Sequence, residues 1–509
     1  MIAAPKATQR EWIGLAVIAL PCLLYSMDLT VLNLAEPHLS ADLQPSSAQL
    51  LWIIDIYGFL VAGSLITMGT LGDRIGRRRL LLIGAAAFGI ASVIAAFSTS
   101  AEMLIATRAL LGIAGATLAP STLSLIRNLF LDPHQRTFAI GVWVTSYSVG
   151  GAIGPLIGGV VLEYFWWGAV FLIGVPVMVL LLVVGPMLLP EFRDPKAGRL
   201  DLVSAALSLA AVLAVIYGLK RIAEGGLGWA AALSILAGLA LGAAFVRRQG
   251  RLADPLIDLR LFRIPAFSAS LALYLVGTLV AFGAYIFIAQ YLQLVLELSP
   301  LQAGLATVPS MLGFVTGSMV VPLIARRVPP ATAMTGGLLL AALGFGLLTQ
   351  IDGAAGLAVI IAGSVIYSLG ISPVVILATD LIVGSAPVER AGAASAISET
   401  SSELGGALGI AILGSIGVAV YRAAMADGVP LEVPAEAATA ARATLGGAVA
   451  AAERLPEQVG AALLETARAA FARAFQLTAA ISATASLLIA PVAMVLLRRG
   501  PARSAPAAV

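Results

Sequence analysis

The chain is 509 residues long, 60% of them hydrophobic and 11% charged. A soluble globular domain carries about 25% charged residues, so a soluble fold is excluded and the chain belongs in lipid. The formal net charge is only +3; it marks no nucleic-acid partner, and its placement matters more than its sum.

The apolar residues come in runs of about 20, the length a helix needs to cross a hydrocarbon core of about 30 Å. The alternating segments of a membrane β-barrel, about ten residues each, do not occur. Lys6 and Arg10 precede the first run, and no A-x-A cleavage site follows it. It therefore reads as a first span and not as a removed signal. Fourteen spans are predicted, at 12–35, 49–71, 80–98, 102–126, 138–162, 166–189, 202–219, 229–246, 266–293, 302–324, 331–350, 356–384, 392–419 and 474–497. With the N-terminus inside, 22 of the 30 Lys and Arg fall on the inner side, 7 outside, and Arg108 within a span. The positive-inside rule then makes both ends cytoplasmic. The outer positive charges concentrate in one segment, 421–473, rich in Ala, Glu and Arg. It is expected to form two short amphipathic helices outside the membrane.

Ionisable residues within spans are costly, and they commonly face a cavity or a partner. Asp28 in span 1, Asp55 in span 2 and Arg108 in span 4 each lie six or seven residues from the outer membrane surface. At 1.5 Å per residue that is about 9–10 Å for all three, so a buried cluster is expected. Two readings stand for Arg108, a structural ion pair or a proton-path residue. In span 13, Glu399 and Glu403 are four residues apart and share a helix face. Two like charges there repel, so at least one is expected to carry a proton or face a cationic ligand. Asp380 lies near the inner end of span 12, where water can solvate it. The single cysteine, Cys22, lies in an apolar run and reads as a small core residue.

Two glycine patterns follow. Span 2 ends in GTLGDRIGRRR. Here Gly69 and Gly76 permit a tight turn and close helix approach. Asp73 can complement the N-terminus of a neighbouring helix. Arg74 and Arg77 belong to the basic loop that holds this end inside. Span 5 contains YSVGGAIGPLIGGVV, with Gly150, Gly154 and Gly158 at intervals of four, joined by Pro155 and Gly159. Such a strip makes a smooth face for close packing.

On these residues the chain resembles the major facilitator superfamily, and within it the fourteen-span drug:proton antiporters. GTLGDRIGRRR is similar to the signature loop between spans 2 and 3. Arg108 with Gly112 resembles the span-4 R-x-x-x-G pattern. The glycine strip resembles the antiporter pattern, MDLTVLNLAEP the span-1 pattern, and SETSSELGG the acidic span-13 pattern of quaternary-ammonium exporters. The resemblance implies an all-α integral membrane fold. It has two six-helix halves, 1–200 and 251–509, with two extra helices at 201–250 between them, and a midplane site. It also implies that Asp28, Asp55 and Glu399 are proton or cation sites, that Arg108 relays protons, and that Asp73 and Arg77 form a conformational latch. Glu403, on the same face as Glu399, is a further proton or substrate candidate, with contact to a polar neighbour as the alternative. Two departures stand out. Glu36 replaces the usual Leu in span 1, and span 10 has no acid, which argues against divalent cargo.

The expected function is proton-coupled export of lipophilic cations such as quaternary ammonium compounds, dyes or fluoroquinolones. Export of an endogenous metabolite, lipid or antibiotic by the same exchange is the alternative. No G-x-x-x-x-G-K-[ST] loop is present, so ATP is not expected to drive transport. The only histidines, His38 and His134, lie near membrane edges, and no enzyme constellation or cofactor is implied. The expected setting is a monomer in the cytoplasmic membrane, with protons, cations and lipids as partners.

Overall fold

In lipid, every backbone N–H and C=O must be satisfied within the segment or by a close neighbour, which favours helices. The computed structural model describes residues 6–43, 45, 47–193, 200–225, 228–252, 255–298, 300–351 and 356–498, and among them regular structure is helical throughout. The first group of helices is α1 (Gln9–Leu43), α2 (Ser47–Ile75), α3 (Arg77–Ala96), α4 (Ala101–Gly115), α5 (Leu118–Leu129), α6 (Pro133–Tyr164), α7 (Ala169–Leu172) and α8 (Val175–Leu188). Then come α9 (Leu202–Gly225) and α10 (Trp229–Gln249). The second group is α11 (Pro265–Gln290), α12 (Pro300–Ile324), α13 (Pro330–Leu348), α14 (Gly356–Ser385), α15 (Ala391–Gly428), α16 (Ala435–Ala443), α17 (Leu445–Ala452) and α18 (Glu457–Arg498).

Thirteen segments of the described residues are long and apolar enough to span. The remaining expected span, 138–162, lies inside α6, which runs for 32 residues. Two spans are broken for a local reason. Pro120 lacks the N–H that would bond Ala116, and its ring crowds that carbonyl; α4 accordingly stops at Gly115 and α5 restarts at Leu118. Pro176 acts likewise on Leu172, the last residue of α7.

The segment 421–473 departs from a simple pair of short helices. The pair exists, as α16 and α17, but α15 and α18 also extend into 421–473. With 42 residues, α18 is about 63 Å long, twice the hydrocarbon thickness. The small helices are pinned to these long ones. The Tyr421 hydroxyl donates to the Ala441 carbonyl at 2.8 Å. Thr444 caps α17 by accepting from the Gly447 amide at 3.0 Å.

Within the first group α1 packs on α6, and α2 and α3 pack on α4; within the second, α13 packs on α14 and α18, and α11 on α15. Helices α9 and α10 pack on one another, and α9 also touches α2 and α15, one helix from each group. The groups meet along a seam where α2 and α5 meet α15 and α6 meets α12 and α14.

Candidate transport site

The level shared by Asp28 and Arg108 proves to be a contact. Arg108 Nη1 donates to Asp28 Oδ2 at 2.5 Å, and its Nε donates to the Ile53 carbonyl at 3.2 Å. The guanidinium also sits 4.6 Å from the Tyr57 ring centre, a cation–π distance. Gly112, one turn beyond Arg108, makes the approach possible. A Cβ there would lie 2.6 Å from the Tyr57 carbonyl. The side chains of Asp55, Glu36 and Pro155 lie outside the described residues.

An aromatic group continues from this pair. Tyr25 lies 6.0 Å from Tyr57 and 5.5 Å from Tyr147, ring centre to ring centre. Trp143 follows 4.9 Å from Tyr147, held by its indole N–H donating to Thr122 Oγ1 at 2.9 Å. Cys22 is fully buried beside Thr122, as a small core residue should be.

The two span-13 acids face this group from α15. Glu403 lies beside Tyr25, and Glu399 lies near Tyr147 and Tyr274. Glu403 is exposed and Glu399 half-buried, although both lie well inside the length of α15. Glu399 Oε1 is buried without a hydrogen-bond partner, and among the described residues neither acid forms an ion pair. Five aromatics within the spans suit the wall of a site for flat cations: Trp52, Tyr57, Trp143, Tyr147 and Phe287. Tyr57, Trp143 and Tyr147 belong to this group, whereas Trp52 faces outward and Phe287 stacks on Phe475.

The basic-loop end is closed. Asp73 accepts from the Gly392 and Ala393 amides, both at 2.9 Å, and so caps the N-terminus of α15 from the other group. Arg77 Nε holds the same carboxylate at 2.9 Å, while Arg77 Nη2 donates to the Val388 carbonyl. Gly69 lies against Gly392, where a side chain would collide. Gly76 has φ 112, open to glycine at little cost, and a Cβ there would strike Glu191. Glu191 accepts from the Arg78 and Arg79 amides at 3.1 Å each. Arg74 is half-buried in the last turn of α2.

Sequence missed a second closure. Asp380 is not simply solvated. It accepts from Arg136 Nε at 2.6 Å and from Thr137 Oγ1 at 2.9 Å, bonds from α6 that take it out of free solution. Its only sequence signal is an acid and an Arg-Thr pair at inner ends of non-adjacent spans, which hydropathy cannot bring together.

The glycine strip of α6 faces α1. A Cβ on Gly150 would collide with the Leu23 carbonyl, and one on Gly151 would lie 3.2 Å from Ser26 Oγ. Gly154 and Gly158 are buried, whereas Gly159 meets open space. Beyond the closed seam, α1, α6, α11, α12 and α14 part around a cavity of about 380 Å³. Its lining on α12 and α14 comes from the halves of those helices away from the basic loops.

The sequence pattern of the Major Facilitator Superfamily matches residues 18–410. The chain belongs to that superfamily. It is a multi-pass membrane transporter and not an enzyme. It is 45% identical over 494 residues to the multidrug efflux pump LfrA of Mycolicibacterium smegmatis, covering 97% of this chain and 98% of that protein. It is 37% identical over 487 residues to the methyl viologen resistance protein SmvA of Salmonella typhimurium, covering 94% and 96%. It is 31% identical over 504 residues to the tetracenomycin C resistance and export protein of Streptomyces glaucescens, covering 98% and 94%. Among solved structures, the human organic anion transporter MFSD10 shares the fold. Its TM-score is 0.60 at 17% identity, covering 96% of this chain and 99% of that one.

Proposed function

We propose that this transporter exports lipophilic cationic drugs across the cytoplasmic membrane in exchange for protons. The observation that carries the reading is the pair Glu399 and Glu403, facing Tyr25, Tyr57 and Tyr147 with no ion-pair partner among the described residues. A carboxylate at that depth is costly while charged and alone. A proton removes the cost, and so does a bound cation. The two therefore compete, and competition across a membrane is exchange. Aromatic faces beside the acids suit flat cations. The relative named for multidrug efflux supports drug export. The relative named for methyl viologen resistance supports flat cationic cargo, although methyl viologen is a dication and span 10 of this chain carries no acid.

Asp28 and Arg108 form the second element of the mechanism. Protonation of Asp28 would free Arg108 from its partner, and Tyr57 lies between this pair and Glu403. By the positive-inside rule the basic-loop end is cytoplasmic. The seam is then shut toward the cytoplasm, with Asp73 and Arg77 as its latch, and the cavity lies toward the outside. Domain limits at 1–200, 201–250 and 251–509 follow the same reading, as does a monomeric state.

The test is ethidium transport in energised inverted vesicles. Movement should stop on adding a protonophore, and in Glu399→Gln or Asp28→Asn protein that still inserts. Transport that survives the protonophore would remove proton coupling. A second reading, export of a natural antibiotic by the same exchange, draws on the relative named for tetracenomycin C export. It predicts competition between such a compound and ethidium.

A further inference from the structure

The cavity that opens beside Tyr147 has a different chemistry from the acid site. Among the described residues none that lines it is charged; it is walled by rings and aliphatic groups and studded with hydroxyls. Two apolar helices supply four of the aliphatic hydroxyls at helical spacing, Thr307 and Ser310 on α12 and Ser364 and Ser368 on α14; Ser26 on α1 and Ser148 on α6 add two more. Several of the four are already engaged. Ser310 and Ser368 lie 2.7 Å apart, Ser310 reaches the Ser364 carbonyl at 3.3 Å, and Tyr367 lies beside both serines. Thr307 donates to its own helix, at Gly304.

On α14 the Ser364 hydroxyl is left over: Ser364 is 4% exposed and lines the cavity, and no hydrogen-bond partner meets its Oγ. On α6 the Tyr147 hydroxyl is likewise unpartnered. A hydrogen bond left unmade at a buried hydroxyl is costly, so the Ser364 group is poised for a partner that enters the cavity. A quaternary cation offers no acceptor and would sit without a counter-charge. A neutral ring system bearing a carbonyl, ether or hydroxyl oxygen offers both the acceptor and a surface for Phe282 and Phe314. The volume of about 380 Å³ falls within the range of small-molecule pockets.

We infer that this cavity is a second ligand subsite, which takes an uncharged lipophilic molecule through a hydrogen bond from Ser364. Tyr147 is a wall shared with the acid site, so the two subsites adjoin but select by different chemistry. The inference rests on the export reading only for the direction in which cargo moves.

The test measures binding and needs no proton gradient. Purified full-length protein in detergent is titrated by fluorescence polarisation against Nile red, an uncharged dye with a carbonyl, and against ethidium, with protein-free micelles as control. Ser364→Leu, which fills the space and removes the donor, should weaken Nile red at least tenfold and leave ethidium within twofold. Ser364→Ala should weaken Nile red about fivefold; it keeps the test intact if the leucine variant unfolds early. Glu403→Gln should do the reverse, weakening ethidium and sparing Nile red. Nile red affinity within twofold of wild type in both Ser364 variants overturns the subsite. So does equal loss of both dyes in a variant with unchanged thermal midpoint. Failure of the proton-coupled reading would show separately, as ethidium transport that ignores the protonophore.

Discussion

Arg108 is 1% exposed, and everything around it is arranged to make that tolerable. Asp28 supplies the counter-charge, the Ile53 carbonyl an acceptor and Tyr57 a π face. Removing one partner of a buried pair leaves the other uncompensated, at about 3–5 kcal/mol. Arg108→Gln should therefore lower the thermal midpoint sharply. Adding Asp28→Asn to it should recover part of the loss, because the stranded charge is gone. An Arg108→Gln midpoint equal to wild type would mean that the pair carries no stability. The pair was legible from sequence because helical rise converts residue number into depth. Tyr57 and Tyr147 were legible as aromatics within spans; that Tyr25 joins them between the pair and Glu403 was not, since depth says nothing about which faces of α1, α2 and α6 meet.

At the scale of the helix, the glycine strip of α6 resolves into positions with different duties. Gly150 touches the backbone of α1, so Gly150→Ala must push the helices apart, at about 1–3 kcal/mol. Gly159 meets open space, so Gly159→Ala should leave stability unchanged or raise it through helix propensity. Thermal unfolding of the two variants side by side separates close packing from a general need for glycine. A second helix pair gives a pH test. Asp201 accepts from Arg248 Nε at 2.6 Å and Nη2 at 3.0 Å, joining the start of α9 to the end of α10. Hydrogen bonding from Arg248 holds the Asp201 carboxyl well below the usual carboxylate range. A depressed value stabilises the folded state above the unfolded value of about 3.9, and the gain is lost as pH falls below it. Both groups reach water, so the effect is small. The midpoint gap between wild type and Asp201→Asn, present at pH 7, should close below about pH 4. Spans were legible because bilayer thickness fixes the length of an apolar run. The extensions of α15 and α18 were not, because an Ala-, Glu- and Arg-rich stretch suits a short surface helix as well as a long projecting one.

For the whole molecule, the informative property is which end is shut, and that belongs to pairs of helices distant in sequence. Asp73 bonds two amides at the start of α15, and Asp380 bonds Arg136 and Thr137 on α6. A latch of this kind makes bonds in one state and loses them in the other, so it shifts the balance only by that difference. Hydrogen bonds to a charged group contribute about 1.5–3 kcal/mol. Asp73→Asn should thus move the equilibrium toward opening at the basic-loop end by about 10- to 150-fold. Asp380→Asn should act in the same direction through the other closure. Spin labels at Leu131→Cys and Glu389→Cys would report it, both sites being on exposed ends flanking the seam. Native Cys22 is buried and will not compete for label. In wild type the label distance should be dominated by one short population. A longer one should grow in each variant and dominate when both are combined. If the distribution is unchanged in both, the seam is held by packing of faces such as Gly69 on Gly392, and the two carboxylates are passengers in it.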